Sequence, residues 1–464
     1  MNDYLKFQRF HLVGIKGVAM TALALILKDL GKSITGSDSP LTYQTEKFLT
    51  DKAIAYGTFD INNVNTAQVV VYGASHQGSD NPEVKEALKQ RKIVLSLSQM
   101  IGYLTDLKKT IAVSGCHGKT TTTAIISYVL EKLALDPSYL VGSAGFENLP
   151  SGKWGSGLHF VAEADEYLAD PVLQRRSKFL FFSPQYIVVT NLDYDHPDFF
   201  PDFDAVIKTF ALFFKRLHPQ GILIVNGDDS VLLKLAKNSC QSYVTYGFNK
   251  ENDYQIIARE KGLKIINHQQ TIIKLEPQLI GKHNQSNLAA AVVVLHLLKT
   301  NLSQAAKYLN QFGGAKRRLE LVARIGSNYV YDDYAHHPTE IAASLGALKL
   351  QYPQYRLALC FQPHTYSRTK KLLPEFVKSL SLVDYLGLLP VFASAREPVD
   401  KSFDSSMILT KLPKNLGSQL LATEADWQRM VNRTQKTSQK WIYVTMGAGD
   451  VYNQSTLLIK LLND

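Results

Sequence analysis

Short apolar runs recur along the chain. Each is closed by a turn rich in Gly, Ser, Asn or Asp and followed by a longer stretch with apolar residues at helical spacing. Such alternation predicts buried, mostly parallel strands joined by covering helices. Over residues 1–108 it predicts strands at Phe10–Ile15, Ser33–Thr35, Val69–Tyr72 and Ile93–Leu97, and a helix over Val18–Leu30. Over 109–313 it predicts strands at Ile111–Val113, Phe160–Glu163, Ile187–Thr190 and Ile222–Val225. The short alternating pieces of Tyr254–Leu275 read as a small antiparallel addition. Over 314–464 strands are expected at Tyr329–Tyr331, Leu357–Phe361, Tyr385–Leu389 and Trp441–Met446, with Gly313-Gly314 as a candidate hinge. Three domains suit a chain of 464 residues, which is too long for one core.

The stretch TIAVSGCHGKTTTTAII, residues 110–126, places a glycine-bounded turn between a strand and a helix. Gly115, His117 and Gly118 form the turn, and Lys119, Thr120 and Thr121 open the helix. Helix-start N–H groups and the helix dipole favour an anion. The lysine adds charge for terminal phosphates, and a threonine hydroxyl can ligate Mg²⁺. A full phosphate-loop motif would carry glycine at 113, where Val113 stands, so the signal is the shorter G-x-x-G-K-T-T. An ordinary Gly turn with a chance lysine is the bland alternative, and the strand-before, helix-after context argues against it. The expected fold is therefore α/β with three open, mostly parallel sheets: a Rossmann-like domain over 1–108, a P-loop ATPase domain over 109–313 and a Rossmann-like domain over 314–464.

Gly14-Ile15-Lys16-Gly17, followed by Ser37-Asp38 at the end of the second strand, is similar to a dinucleotide fingerprint but lacks its second and third glycines. A nucleotide-diphosphate head group is expected there instead, with Gly14, Lys16, Gly17, Ser37, Asp38 and Ser75 as candidate contacts. Composition narrows the partners. Hydrophobic residues make up 45% and charged residues 20% of the chain, and no apolar run approaches membrane-spanning length. MNDYLKFQRF has no signal-like apolar core, and Cys116, Cys240 and Cys360 are too scattered for a disulfide frame, so a cytoplasmic location is expected. The net charge of +10 is dispersed, without a basic-aromatic stripe, and suits small anions rather than nucleic acid or membrane.

Further candidates lie at strand ends, where open α/β sheets bind ligands. Glu163 closes an apolar strand and can ligate Mg²⁺ beside Thr120, with Asp165 and Glu166 as competitors. His196, among Asp193, Asp195 and Asp198, can bind a second metal, although a lone histidine is commonly structural. Asn284 and Asn287, one helical turn apart, can pair with adenine or merely cap a helix. Arg318 can reach a γ-phosphate and Asp333 a ribose hydroxyl, while Tyr334, His336 and His337 can frame a small substrate. His364 and Arg368 suit carboxylate capture. Each has a bland reading as cap or surface loop, but all fall at predicted strand tips.

GCHGKTTTT, EADE, NLDYDH, GKHNQSN, RRLE, DDYAHHPTE, FQPHTYSRT, AREP and MGAGD occur here in the order found in the Mur ligases, which the chain resembles over nearly its whole length. The resemblance implies an ATP- and Mg²⁺-dependent amide-forming enzyme of peptidoglycan synthesis. The first domain would hold UDP-N-acetylmuramate, the second ATP, and the third would close with the amino acid. Lys119 and Thr120 would serve phosphate and metal, Glu163 and His196 metal, and Asn284 and Asn287 adenine. Arg318 and Asp333 would reach ATP, and Tyr334, His336, His364 and Arg368 would lie near the amino acid. The lactyl carboxylate would pass through an acyl phosphate, with His336 or His337 as base for the amine.

DDYAHHPTE, FQPHTYSRT and MGAGD are most similar to the member that adds L-alanine. The long stretch EADEYLADPVLQRRSKFLFFSPQ is similar instead to a member that recycles a murein tripeptide, and both acceptors stay open at this point. A non-catalytic UDP-sugar sensor is the alternative of another class. It would need a broken ATP site, whereas Lys119, Thr120, Glu163 and His196 are all present. Oligomeric state is left open.

Overall fold

The computed structural model describes residues 3–170, 172, 175–239, 242–393, 397, 399–436 and 439–463. Cys240 and most of the AREP stretch, including Arg396, lie outside the described residues. Among the described residues the strands form three sheets. No helix there is long and apolar enough to cross a membrane.

The first sheet contains β1 (Arg9–Val13), β2 (Ser33–Asp38), β3 (Ala55–Thr58), β4 (Val69–Tyr72) and β5 (Ile93–Ser96), in the order β3-β2-β1-β4-β5. All its pairings are parallel. Every residue of β4 is buried, as an apolar run covered on both faces must be. The helix Val18–Asp29 follows β1 and buries Met20 to Leu27 without interruption. Strand order reverses between β1 and β4, which places a ligand crevice at their carboxyl ends.

The second sheet contains β6 (Lys109–Ser114), β7 (Ser138–Leu140), β8 (Gly152–Lys153), β9 (His159–Glu163), β10 (Tyr186–Val189), β11 (Ile222–Asn226), β12 (Tyr243–Gly247), β13 (Tyr254–Ala258), β14 (Leu263–Asn267) and β15 (Gln270–Leu275). Its order is β15-β14-β13-β12-β11-β10-β6-β9-β7-β8. β6 is central and pairs in parallel with β10 and β9. The expected antiparallel addition is the meander β13–β15. Its last hairpin turns at His268 and Gln269, both with positive φ, in place of the usual Asn-Gly.

The third sheet contains β16 (Glu320–Ile325), β17 (Asn328–Asp333), β18 (Arg356–Phe361), β19 (Tyr385–Leu388), β20 (Gly417–Leu420) and β21 (Trp441–Met446), in the order β16-β17-β21-β18-β19-β20. Among the described residues of this sheet, only the β16–β17 pairing is antiparallel.

The expected apolar strands all form, with ends shifted by up to three residues, the largest shift being β2, which runs on from Thr35 to Asp38. β3, β16 and β20 had no such signal because they are edge strands without a buried residue. The chain divides into two compact units. The first comprises Met1–Tyr194, Asp202–Gln278 and Gln285–Gly313, and so carries the first two sheets; the second comprises Asp195–Pro201, Leu279–Asn284 and Gly314–Asp464. One division between them falls between Gly313 and Gly314.

Candidate active site

In the first unit, β6 ends at Ser114 and the chain turns through Gly115 (φ +122°) and Gly118 (φ +83°) into the helix Lys119–Lys132. A Cβ at Gly115 would overlap the Thr190 hydroxyl, and one at Gly118 would lie 2.5 Å from Asn287 Oδ1. Both positions therefore need glycine for space as well as for backbone angle. The loop is clamped from the tip of β10. Asn191 Oδ1 accepts the His117 N–H at 2.9 Å, and Asn191 Nδ2 donates to the His117 carbonyl at 2.9 Å. The Cys116 N–H donates to the Asn191 carbonyl at 3.2 Å, and the Cys116 sulfur lies 3.1 Å from both the N and O of the Asp193 backbone. His117 Nε2 is 3.0 Å from Asp193 Oδ2. Sequence reasoning credited the 190–200 stretch with His196 and missed this clamp.

Lys119 donates to the carbonyls of Gly115 at 2.7 Å and Cys116 at 3.2 Å, and to the Glu166 carboxylate at 2.9 and 3.2 Å. Burial opposes charge on the ammonium. Glu166, followed by Asp165, Cys116 and Glu163, outweighs it and holds Lys119 above its ordinary value. Burial also pushes the Glu166 carboxyl up to about 7, against the pull of Lys119.

Thr120 Oγ1 donates to Glu163 Oε1 at 3.1 Å, and Glu163 Oε2 accepts the Gly142 N–H at 2.8 Å. A Cβ at Gly142 would overlap the Glu163 carboxylate, so this glycine, which sequence reasoning also missed, makes room for it. Asp165 is engaged by Lys178 at 2.6 Å and Glu166 by Lys119. Of the three acidic candidates it is Glu163 that meets Thr120, and a hydroxyl beside a carboxylate is a hard-oxygen pair suited to Mg²⁺. The phosphate cradle and this pair fit a magnesium nucleotide.

At the carboxyl end of the first sheet, the N–H groups of Gly14 and Ile15 donate to the Ser37 carbonyl at 2.8 and 3.0 Å, and the Lys16 N–H to Asp38 Oδ2 at 2.8 Å. Burial works to raise the Asp38 carboxyl. His76 and the N–H groups of Lys16 and Ser39 nevertheless hold it below the usual carboxylate range. The Lys16 ammonium folds back onto the Leu41 carbonyl at 2.6 Å and Glu46 Oε1 at 3.0 Å, beneath the rings of Tyr43 and Tyr56. The Ser37 hydroxyl turns inward to buried Glu83. Gly17 caps the helix Val18–Asp29, and Ser75 is half-buried in the loop after β4. His76, also unsingled by sequence, lies over Gly14 and 3.3 Å from Asp38 Oδ1.

In the second unit the two neighbouring arginines separate. Arg317 is buried, donating to Asp332 Oδ2 at 2.9 Å and to the carbonyls of Gly447 at 2.6 Å and Gly449 at 3.2 Å. It clasps the turn MGAGD to the start of the domain. Arg318 stays half-buried, 5.0 Å over the Tyr334 ring. Burial pushes the Asp333 carboxyl up to about 6, although the Ser344 hydroxyl, Arg318 and the Ala335 N–H favour its ionised form.

Tyr334, His336, His364 and Arg368 come together. Ring centroids are 5.4 Å apart for Tyr334–His336 and 6.0 Å for His336–His364, and Arg368 Nη1 is 3.4 Å from the His364 carbonyl. Arg368 is itself held by Asp195, Nε to Oδ1 at 2.7 Å, and its Nη2 lies 3.5 Å from His196 Nδ1. Against burial, it is chiefly the Arg368 guanidinium that holds Asp195 well below the usual carboxylate range.

The two adjacent histidines carry opposite tautomers. His336 Nδ1 faces the Tyr334 carbonyl at 3.1 Å, which can only accept, so Nδ1 bears the proton and Nε2 is the acceptor. His337 Nδ1 accepts the Thr339 N–H at 3.3 Å and caps the helix Pro338–Gln351, so its proton sits on Nε2. Burial pushes His336 down to about 3, leaving it neutral at physiological pH.

Asn284 and Asn287 share the helix Lys282–Leu297, and both are buried. Asn284 Nδ2 donates to the Ile280 carbonyl at 2.9 Å. Asn287 lies with the first unit beside Gly118, and Asn284 with the second.

Three family models match in succession: "Mur ligase family, catalytic domain" at residues 9–109, "Mur ligase middle domain" at 113–295 and "Mur ligase, glutamate ligase domain" at 317–449. A relative named UDP-N-acetylmuramate–L-alanine ligase from Endomicrobium trichonymphae is 33% identical, covering 99% of this chain and 100% of its own. A like-named relative from Lactiplantibacillus plantarum is 35% identical, covering 95% and 96%. Among solved structures, the UDP-N-acetylmuramate–alanine ligase of Thermotoga maritima superposes with a TM-score of 0.79 at 24% identity, covering 97% of this chain and 98% of its own. A murein peptide ligase of Psychrobacter arcticus gives 0.74 at 23% identity, covering 98% and 99%. At such identities the two structures speak for the fold. With full-length relatives above 30% identity and all three family models in order, the chain belongs to the Mur ligase family.

Proposed function

We propose that the protein is an ATP-dependent ligase that joins L-alanine to the lactyl carboxylate of UDP-N-acetylmuramate, in the cytoplasm. The observation that carries this reading is the phosphate cradle with Lys119 at its mouth and Thr120 paired with Glu163 at 3.1 Å. The names of the full-length relatives support the two substrates. The proposed division of labour is UDP-sugar in 1–108, ATP in 109–313 and amino acid in 314–464.

Bound ATP, with Mg²⁺, supplies the phosphoryl group that turns the lactyl carboxylate into an acyl phosphate, from which the alanine amine displaces phosphate. Thr120 and Glu163 would hold the metal. The loop N–H groups and the charged Lys119 would offset charge on the terminal phosphates. His196, Asn284, Asn287, Arg318 and Asp333 keep the roles that family membership implies for them. Arg368, held by Asp195, would present its outer nitrogens to the amino-acid carboxylate. Of the two candidate bases, His336 has its acceptor nitrogen at Nε2, whereas His337 offers a donor there; because burial holds His336 at about 3, we assign it the hydrogen bond that accepts from and orients the amine rather than full removal of its proton.

Phosphate release from ATP, measured with UDP-N-acetylmuramate plus either L-alanine or L-Ala-γ-D-Glu-meso-diaminopimelate, tests the reading. Release with alanine alone is expected. Release with tripeptide alone would make the protein a recycling ligase, and silence in both would sink the proposal.

A further inference from the structure

Between β9 and β10 the chain makes a folded arm that touches two crevices of the first unit. Its base is closed by the Asp165–Lys178 ion pair at 2.6 Å, with the Phe179 N–H on the Asp165 carbonyl at 3.1 Å and the Lys178 N–H on the Tyr167 carbonyl at 2.9 Å. Further out, Leu168 bridges Ser177 in antiparallel fashion, and the Ala169 N–H donates to the Arg176 carbonyl at 2.9 Å. Tyr167, Leu168, Ala169 and Phe179 are buried, so these two flanks of the arm are packed. Glu166, on this arm, holds Lys119.

Asp170, on the same arm, is fully buried and reaches the first domain. The Ser79 hydroxyl donates to its Oδ1 at 3.3 Å, and the Tyr72 phenol is hydrogen-bonded to it as well. Burial, then Asp170, keeps that phenol protonated and therefore a donor. Tyr72 is the last residue of β4, and Ser79 lies in the short turn Gly78–Asp80. The loop between them sits where strand order reverses. It carries Ser75 and His76, and it runs through positive φ at His76, Gln77 and Gly78. A backbone in that region needs outside contacts to persist.

We propose that Asp170 is a positioning residue for the UDP-sugar. Bonded to the residues at both ends of the loop 73–78, it sets the wall of the sugar crevice from within the ATP-binding domain. This rests on the UDP-sugar reading above. The carboxylate accepts from these two neutral hydroxyls and, within its own arm, from the Val172 N–H at 2.6 Å, and no carbon chain of the arm needs to touch the sugar for the effect to be felt.

Calorimetric binding of UDP-N-acetylmuramate and of a non-hydrolysable ATP analogue, on the full chain, tests it alongside steady-state kinetics. In Asp170→Asn the Kd and KM for the sugar should rise about tenfold, the magnitude of one charged hydrogen bond. The nucleotide Kd and kcat should stay within about twofold of wild type, on the same logarithmic scale. Tyr72→Phe, which removes one donor, should weaken the sugar in the same direction, and the double variant should be no weaker than Asp170→Asn alone. Unchanged sugar affinity in a folded Asp170→Asn protein overturns the inference. So does equal weakening of sugar and nucleotide, which marks general loosening. A wild-type chain that does not bind the sugar overturns the functional reading itself, and this inference with it.

Discussion

Lys119 and Glu166 form a buried ion pair, Nζ 2.9 Å from Oε2, with side chains 12% and 2% exposed. In this arrangement the lysine is curled back over its own loop, touching the Gly115 and Cys116 carbonyls. Its charge is secured before any phosphate arrives.

Removing the ammonium should therefore abolish chemistry without disturbing the first domain. Lys119→Ala is expected to show no phosphate release above background, while UDP-N-acetylmuramate binding by calorimetry stays at the wild-type level. Unchanged turnover would contradict the assignment of Lys119 to the terminal phosphates.

The same pair makes a stability prediction. Glu166→Gln leaves a buried ammonium without its counter-charge and should cost about 3 kcal/mol in urea unfolding. Lys119→Met combined with Glu166→Leu removes both charges and should recover most of that loss, because apolar pairs of similar volume replace buried ion pairs at little cost. A double variant as unstable as the single one would mean that packing, not charge, dominates here.

Gly142 sets the position of Glu163 through its N–H at 2.8 Å and through the absence of a Cβ. Gly142→Ala should push the carboxylate away from Thr120 and raise the Mg²⁺ concentration needed for half-maximal activity by about tenfold. The melting temperature should move by only a few degrees. A magnesium titration of both proteins decides the point.

Acid should loosen the second unit, in two stages. Burial holds His336 at about 3 against an ordinary value of 6.5, so folding expels its proton. Its contribution is whole above 6.5 and drains away as pH falls from 6.5 toward 3. Asp195, held well below 3.8 by Arg368 against burial, contributes above 3.8 and loses that contribution only below it. Unfolding followed by tryptophan fluorescence should weaken steadily below about pH 6.5, and His336→Gln should flatten the upper part of the slope. Asp333, raised by burial to about 6, pulls the other way as pH falls from 6 toward 3.8, so the comparison decides the point: a His336→Gln profile that matches the wild type would refute the buried neutral histidine.

Much of the architecture was legible because parallel strands buried on both faces demand continuous apolar runs. β4 and β6 could hardly be read otherwise. The edge strands β3, β16 and β20 were illegible for the opposite reason, since solvent tolerates almost any residue there. In the site, the local motif from Gly115 to Thr121 was plain. The residues that shape it, Asn191, Asp193 and Gly142, carry no signal of their own.

The sequence by itself determined the strand-helix alternation, the phosphate loop and the family motifs, because each is a local pattern of backbone and burial. Only the tertiary structure decided that Arg317 is the clasp while Arg318 stays half-exposed, and that Glu163 rather than Glu166 meets Thr120. It also decided which nitrogen of His336 and of His337 bears the proton. Neighbouring residues of one chemical type have the same local pattern. What separates them is the partner that folding brings within hydrogen-bond reach, which comes from elsewhere in the chain for Arg317 and Glu163 and from the local turn for His336 and His337.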